Sequence, residues 1–117
     1  MSLPSQPPYL YRATVLNVVD GDTVDMEIDA GFHATITTRF RLFGINAPER
    51  KGETKQAGDE ARDALLTMIP VGSEVLVKTH KGQDKYGRWL AEIQMLDGST
   101  TVNEKMVREK FAVRYMV

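Results

Sequence analysis

The sequence predicts an α+β protein in which five strands form a β-barrel, one helix joins the third and fourth strands, and a short helix lies near the C-terminus. Three observations lead to this fold class. Five segments have the alternation or the β-branched and aromatic content of strands, one segment has apolar residues three and four positions apart, and Gly- and Asp-containing turns separate several of the segments. With 117 residues, of which 42% are hydrophobic, the chain can bury a single core without disulfide bonds.

The first three strands are predicted to follow one another as an antiparallel sheet. Residues 9–19 are rich in β-branched and aromatic side chains, and Asp20-Gly21-Asp22 is a typical turn sequence. Residues 23–29 show the most regular alternation in the chain, with three apolar side chains on one face. The Ala30-Gly31 turn then leads into a long third strand over residues 32–43.

A change to the helical period marks the next element. We predict a helix over residues 56–68, because its apolar residues recur three and four positions apart and Pro70 follows directly. Its inner face is predicted to consist of Ala57, Ala61, Ala64, Leu65 and Met68.

Two more strands are predicted over residues 74–80 and 89–95, joined by a hydrophilic hairpin loop over residues 81–88. A second helix is predicted over residues 102–110, with Asn103 or Thr101 as its N-cap. The core-facing side chains of the fifth strand are predicted to be Trp89, Ala91, Ile93 and Met95. Five strands with a helix between the third and fourth match the small Greek-key barrel called the OB-fold.

Charge and composition restrict the functions open to this chain. Its net charge of −1 argues against coating nucleic acid through bulk positive charge, so any such contact must be local. The absence of Cys excludes disulfides, thiolate zinc sites and Cys nucleophiles. No apolar run approaches the roughly 20 residues of a membrane span, so no membrane partner is expected.

Residues 1–8 contain three prolines and predict a disordered lead-in to a domain over residues 9–117. A secreted protein whose leader has been removed and a cytoplasmic protein are both compatible with the sequence.

Residues 40–49 place a cation and a carboxylate at the two ends of one short turn. Arg41 lies between two apolar residues of the third strand and is predicted to point away from the core. Gly44 and Pro48 break the strand, so Glu49 is predicted to lie on a stiff, irregular loop. This pair suits phosphate chemistry, because Arg stabilises anionic oxygens and a carboxylate takes a proton from water. The alternative is a surface salt bridge at a strand exit.

Two further clusters contain residues capable of chemistry. Asp20 and Asp22 flank a glycine and offer the hard oxygen ligands that Ca²⁺ or Mg²⁺ requires, although the same residues are common in simple turns. The other cluster combines charged and aromatic residues just before the fifth strand: Asp84, Lys85, Tyr86, Gly87 and Arg88. The alternative for this cluster is a solvated hairpin loop.

Taken together and in this order, the clusters closely resemble the staphylococcal nuclease family, and the resemblance runs from about Tyr11 to Tyr115. Four motifs carry it: VVDGDTV (18–24), FRLFGINAPE (40–49), DKYGR (84–88) and VNEKMVREKFA (102–112). The resemblance implies an OB barrel that hydrolyses phosphodiester bonds of DNA and/or RNA with the help of one calcium ion.

The resemblance also implies roles for individual residues. Arg41 and Arg88 match the family's two phosphate-binding arginines, and Glu49 matches the carboxylate that acts as general base. Asp22 matches a calcium ligand, with Asp20 close by and acting through water. The remaining matches are Asn46 and the backbone carbonyl of Ala47 for calcium, and Lys85, Tyr86 and Tyr115 for substrate. Two guanidinium groups and a divalent ion would stabilise the charge that develops on a phosphodiester in the transition state.

The sequence departs from the family pattern at two places. Asn46 stands where the family usually has a second calcium-binding Asp, so we expect weaker calcium binding from the loss of one negative charge. Relatives continue into a third helix, whereas this sequence ends at Val117, so we expect the last helix to be missing. Apolar residues near the terminus can then form an exposed patch that drives homo-oligomerisation: Phe111, Val113, Met116 and Val117.

A catalytically weak or inactive OB-fold module that binds nucleic acid or protein is the alternative function. The joint presence of Arg41, Glu49 and Arg88 favours the nuclease, because a module without activity has little need to keep all three. Asn46 is the substitution that favours the alternative.

Overall fold

Five long strands close into a barrel in the order β1-β2-β3-β6-β5, with β3 and β6 parallel and every other neighbouring pair antiparallel. The structure is a computed structural model and describes residues 9–83, 87–95 and 98–115. In chain order the elements are β1 (Tyr9–Asp20), β2 (Thr23–Gly31), β3 (Ala34–Leu42), β4 (Ile45–Asn46), a 3₁₀ turn (Gly52–Thr54), α1 (Lys55–Met68), β5 (Glu74–Gln83), β6 (Trp89–Gln94), α2 (Val102–Arg108) and β7 (Val113–Arg114). The predicted five-stranded OB-type barrel, with its helix between the third and fourth barrel strands, is confirmed.

The core fills the barrel and continues beneath the two helices. Alternate residues of the strands point inward, as period-two patterning requires, and the helices contribute one apolar face each. The fully buried large side chains include Val15, Val24, Met26, Leu42, Leu65, Val77, Ile93, Val102 and Met106.

The buried face of helix α1 includes a glycine and an alanine as well as a large apolar residue. Its buried positions are Gly58, Ala61 and Leu65, and Ile69 follows as the C-cap residue. The prediction placed Ala57 on this face, and that was wrong, because Ala57 is exposed. The inner face is therefore centred one residue further along, where a glycine lets the chain before the helix approach closely.

Helix α2 begins at a capped position and is joined to the barrel by a buried amide. The Oγ1 of Thr101 accepts a hydrogen bond from the Glu104 N–H at 3.1 Å, so Thr101 is the N-cap. Asn103, the other candidate, lies inside the helix and is buried. Its Nδ2 donates to the carbonyls of Phe43 and Ala91 at 2.9 and 3.0 Å, and this ties α2 to the exit of β3.

A two-stranded sheet outside the barrel joins the chain after β3 to the C-terminal segment. Ile45 pairs with Arg114 and Asn46 with Val113, and the Tyr115 N–H donates to the Gly44 carbonyl at 2.8 Å. The sequence predicted only an irregular loop at this position. The pairing could not be read from two residues, because strand periodicity needs a longer run.

Three other predictions about the barrel strands were wrong in detail. The third strand begins at Ala34 rather than residue 32, because Phe32 and His33 have positive φ angles and form the turn. The fourth barrel strand continues to Gln83, three residues into the predicted loop, and pairs there with Trp89. Trp89 itself is 41% exposed and not a core residue, whereas its neighbour Leu90 is buried.

Several sequence predictions fall outside the described residues: the lead-in over residues 1–8, the positions of Lys85 and Tyr86, and Met116 and Val117 of the expected apolar patch. Within that patch, Val113 is exposed, whereas Phe111 packs against the core. In the described part of the chain, neither helix has the length and apolar composition needed to cross a membrane.

Candidate functional site

The turn between β1 and β2 lies beneath helix α1 rather than at an exposed hairpin tip. Gly21 and Asp22 are both buried. A Cβ atom on Gly21 would lie 2.7 Å from the Cβ of Ala61 and 2.9 Å from the Cβ of Ala47, so only glycine fits between them. The DGD sequence therefore allows close packing as well as turning the chain.

The buried carboxylate of Asp22 is held by two hydrogen bonds. Its Oδ1 accepts from the Thr23 hydroxyl at 3.0 Å, and its Oδ2 accepts from the Ala47 N–H at 2.9 Å. The second bond joins the β1–β2 turn to the loop that leads to Glu49, across 25 residues of sequence. It fixes the orientation of Asp22 relative to that loop.

Arg41 lies next to this carboxylate and is buried, with only 9% of its side chain exposed. The sequence predicted that Arg41 points away from the apolar core but did not predict its burial, which arises because the adjacent loop and Tyr115 of the C-terminal segment cover it. Its Nη2 donates to the Asn46 Oδ1 at 2.9 Å and lies 3.7 Å from the Asp22 Oδ2. The ring centroid of Tyr115 lies 5.3 Å from its Cζ, in cation–π contact.

One nitrogen of Arg41 is not satisfied by these partners. Its Nη1 is buried and has no hydrogen-bond partner among the described residues. A buried, charged donor without an acceptor costs free energy, on the order of 1–3 kcal/mol or more. An anionic ligand oxygen at this nitrogen would remove that cost.

Arg88 approaches the same cluster from the start of β6. Its Nη1 lies 3.4 Å from the Oγ1 of Thr23, the residue whose hydroxyl donates to Asp22. Thr23 is also paired with Arg41 across the β2–β3 ladder. Two arginines from distant parts of the chain thus lie next to one buried threonine.

Glu49 has a fixed backbone but an exposed carboxylate. Its carbonyl accepts from the Thr54 hydroxyl at 2.8 Å, and it lies so close to Gly58 that a Cβ there would overlap it. The side chain is 73% exposed, and its contact within the described residues is with the Lys51 Nζ at 3.8 Å. The structure therefore brings Asp22, Arg41 and Asn46 into direct contact, whereas Glu49 joins them only through the backbone of its loop.

The turn offers hard oxygen donors of the kind that calcium binds. Burial, together with the nearby charge of Asp22, raises the pKa of Asp20, and the neighbouring arginines lower it in part. Two adjacent carboxylates and the amide oxygen of Asn46 have suitable chemistry for a hard cation. However, no three His, Cys, Asp or Glu side chains within residues 9–83, 87–95 and 98–115 form a metal-binding group. A cation here would take many of its ligands from backbone carbonyls and water.

Sequence reasoning missed three residues that shape this site. Thr23 connects Arg88 to Asp22, Gly58 seats the Glu49 backbone, and Arg50 joins that loop to the end of β1. A glycine at a core-facing helix position was the available signal for Gly58. Nothing in the residue pattern distinguishes Arg50 from other charged residues of its segment.

Comparison with known proteins agrees with the family resemblance that the sequence motifs indicate. Residues 39–117 match the family described as staphylococcal nuclease homologue. The chain is 37% identical over 82 residues to "Protein ParB" of Escherichia coli, and the matched region covers 70% of this chain and 41% of that protein. It is 34% identical over 94 residues to an "Uncharacterized endonuclease" of Escherichia coli O157:H7, covering 80% and 54% of the two chains. It is 36% identical over 84 residues to "Probable endonuclease LCL3" of Yarrowia lipolytica, covering 68% and 36%.

This chain spans between 36% and 54% of the length of these three relatives. The family match extends over more than half of the chain and includes Arg41, Glu49 and Arg88. By its sequence and its five-stranded barrel, the chain belongs to the staphylococcal nuclease homologue family.

Proposed function

We propose that this chain is a nuclease that hydrolyses phosphodiester bonds of DNA and/or RNA and depends on calcium. The observation that carries the proposal is the buried guanidinium of Arg41, which lies beside Asp22, Asn46 and Tyr115 and has one nitrogen with no acceptor among the described residues. Membership of the family and the names of the endonuclease relatives support the same function.

The phosphate would be bound by the two arginines. The Nη1 of Arg41, which has no acceptor in the described part of the chain, and the guanidinium of Arg88 would supply donors to the equatorial oxygens, where charge accumulates in the transition state. Arg41 is held in place by Asn46 and Asp22, so its own guanidinium is already oriented when the substrate binds. Because its Nη1 is buried, a neighbouring group must shift to admit the phosphate, and the 45%-exposed Tyr115 is the neighbour in contact with the guanidinium.

Glu49 would act as the general base. Its carboxylate is solvent-exposed and can accept a proton from an attacking water. Asp22, Asn46, the Ala47 carbonyl and, through water, Asp20 would hold the calcium ion. When bound, such an ion supplies positive charge next to the phosphoryl oxygens. Lys85, Tyr86 and Tyr115 would contact the remainder of the substrate.

The test is cleavage of plasmid DNA, single-stranded DNA and RNA by the purified chain with calcium, and again with a chelator. We expect cleavage that requires calcium. Glu49→Gln should reduce turnover by about a hundred- to ten-thousandfold while leaving oligonucleotide binding largely intact, because it removes the base but not the phosphate contacts. Glu53→Gln, in the same exposed segment, is the matched control and should retain turnover.

The result also separates the two candidate functions. A wild-type chain that binds oligonucleotides but does not cleave them would support the inactive binding module, for which Asn46 is the supporting observation. Equal turnover of Glu49→Gln and wild type would remove Glu49 from the mechanism.

A further inference from the structure

Arg50 follows Glu49 directly and connects two elements that are distant in sequence. Its Nε donates to the Asp59 Oδ1 at 2.8 Å, and its Nη1 donates to the Val19 carbonyl at 2.8 Å. Asp59 belongs to helix α1, and Val19 is the residue of strand β1 that directly precedes Asp20. One guanidinium therefore joins the Glu49 loop to both of its neighbours.

The acceptor in the helix is itself fixed. The Oδ2 of Asp59 accepts from the Lys55 Nζ at 2.7 Å, so both of its carboxylate oxygens are engaged. Hydrogen bonds from Arg50 and Lys55 lower the pKa of Asp59 below its ordinary value. The carboxylate that orients Arg50 is therefore charged at neutral pH.

Among the described residues, none holds the Glu49 carboxylate in a comparable way. Its side chain is 73% exposed, and its contact in the described part of the chain is the 3.8 Å approach of Lys51. Its position is therefore set by the backbone of residues 47–50, which is held by Asp22 at one end and by Thr54 and Gly58 in the middle. Arg50 supplies the side-chain attachment at the other end.

We propose that Arg50 is a positioning residue whose guanidinium fixes the Glu49 loop against the end of β1, and so sets the placement of the Glu49 carboxylate relative to the Asp20-Gly21-Asp22 turn. This inference rests on the nuclease function proposed above. Arg50 acts on Glu49 through the backbone of the loop and not by contact with the substrate.

Removal of the Arg50 side chain should reduce turnover more than it reduces the stability of the fold. The side chains of Arg50 and Asp59 are 38% and 34% exposed, and ion pairs of that exposure contribute little to folding. A base displaced by about 1 Å, in contrast, can reduce turnover by as much as a hundredfold.

Arg62 provides a matched control, because it makes the same kind of contact from a different place. Its Nε donates to the Val18 carbonyl at 3.1 Å, one residue from the Arg50 contact, but Arg62 lies in the middle of α1 and not on the Glu49 loop. We expect Arg50→Ala to lower kcat about tenfold or more with KM changed by less than about threefold. Arg62→Ala should change kcat by less than about twofold, and Arg50→Lys, whose single amine cannot span both acceptors, should recover only part of the loss.

A second measurement does not depend on activity. Hydrogen exchange of the backbone amides of Ala47, Glu49 and Arg50, which flank the amide-free Pro48, should be faster in Arg50→Ala than in wild type, and unchanged in Arg62→Ala. Equal exchange in the two variants, or an equal loss of kcat in both, would overturn the inference, because the contacts would then merely secure the end of β1. If the wild-type chain cleaves no nucleic acid, the nuclease proposal fails, while the exchange comparison still decides whether Arg50 orders the loop.

Discussion

At the scale of single residues, the burial of Arg41 has the largest consequences. A buried guanidinium needs acceptors, and Asn46 supplies one through its Oδ1 at 2.9 Å. The same amide oxygen is the one that the family resemblance assigns to calcium. Asn46 therefore lies between the phosphate-binding cation and the candidate calcium site, and a change of its charge acts on both.

Asn46→Asp should tighten calcium binding, because it adds a negative charge to the donor set of the turn. The nearby Arg41 will compensate part of that charge, so we expect the calcium dissociation constant to fall by no more than about tenfold, which corresponds to roughly 1.4 kcal/mol. Isothermal titration calorimetry measures it. Asn17→Asp is the control, because it adds the same charge at an exposed position on β1. No change in Asn46→Asp would mean that this side chain does not face the ion.

At the scale of elements, α1 is the surface on which the site is assembled. Gly21 of the β1–β2 turn packs against Ala61, and the Glu49 carbonyl packs against Gly58 three residues earlier on the same helix face. The small residues allow both backbone segments to approach closely. The spacing of the two segments is thus set by one turn of helix.

Gly58→Ala tests this packing. Alanine favours a helix over glycine by about 1 kcal/mol, but its Cβ would overlap the Glu49 carbonyl and lie 2.8 Å from the Arg50 nitrogen. Because these are backbone atoms, we expect a net loss of about 1–3 kcal/mol in the free energy of unfolding, measured with urea. The exposed Ala57→Gly reports the helix propensity alone. Stabilisation of Gly58→Ala would show that the loop moves away at no cost.

The elements themselves could be predicted where a pattern extends over several residues. Alternation in residues 23–29 and the helical spacing in 56–68 arise from burial of one face, and the structure has β2 and α1 there. The prediction of a core position for Trp89 was wrong, because alternation assigns a side chain to a face of the strand but does not show where the barrel ends. Trp89 is the first residue of its strand and is exposed. The β4–β7 pairing depends on a contact between residues more than 60 positions apart, which no local pattern records.

At the scale of the whole molecule, the candidate site is formed by segments from both halves of the chain. Asp22, Arg41 and Tyr115 meet through strand pairing and the C-terminal segment. Composition and periodicity could identify Asp22 and Arg41 only as members of two separate polar clusters, and the family resemblance supplied Tyr115 and the expectation that these residues act together. The burial of Asp22 and Arg41 was not predictable, because it depends on how α1 and the C-terminal segment cover the end of the barrel.

The charge of the molecule leads to a last prediction, on how salt affects binding. With a net charge of −1, the chain has no general attraction for nucleic acid, and binding should depend on the few cations of the site. For two or three phosphate contacts to a single strand, the slope of log K against log salt should be about −2. Fluorescence anisotropy with an oligonucleotide and the Glu49→Gln chain, at constant calcium, measures it without cleavage. Arg88→Ala should make the slope less steep by about 0.7, the share of one phosphate contact. A slope steeper than about −5 would instead require an extended basic surface, and the substrate would then be held mainly by residues outside the cluster around Arg41.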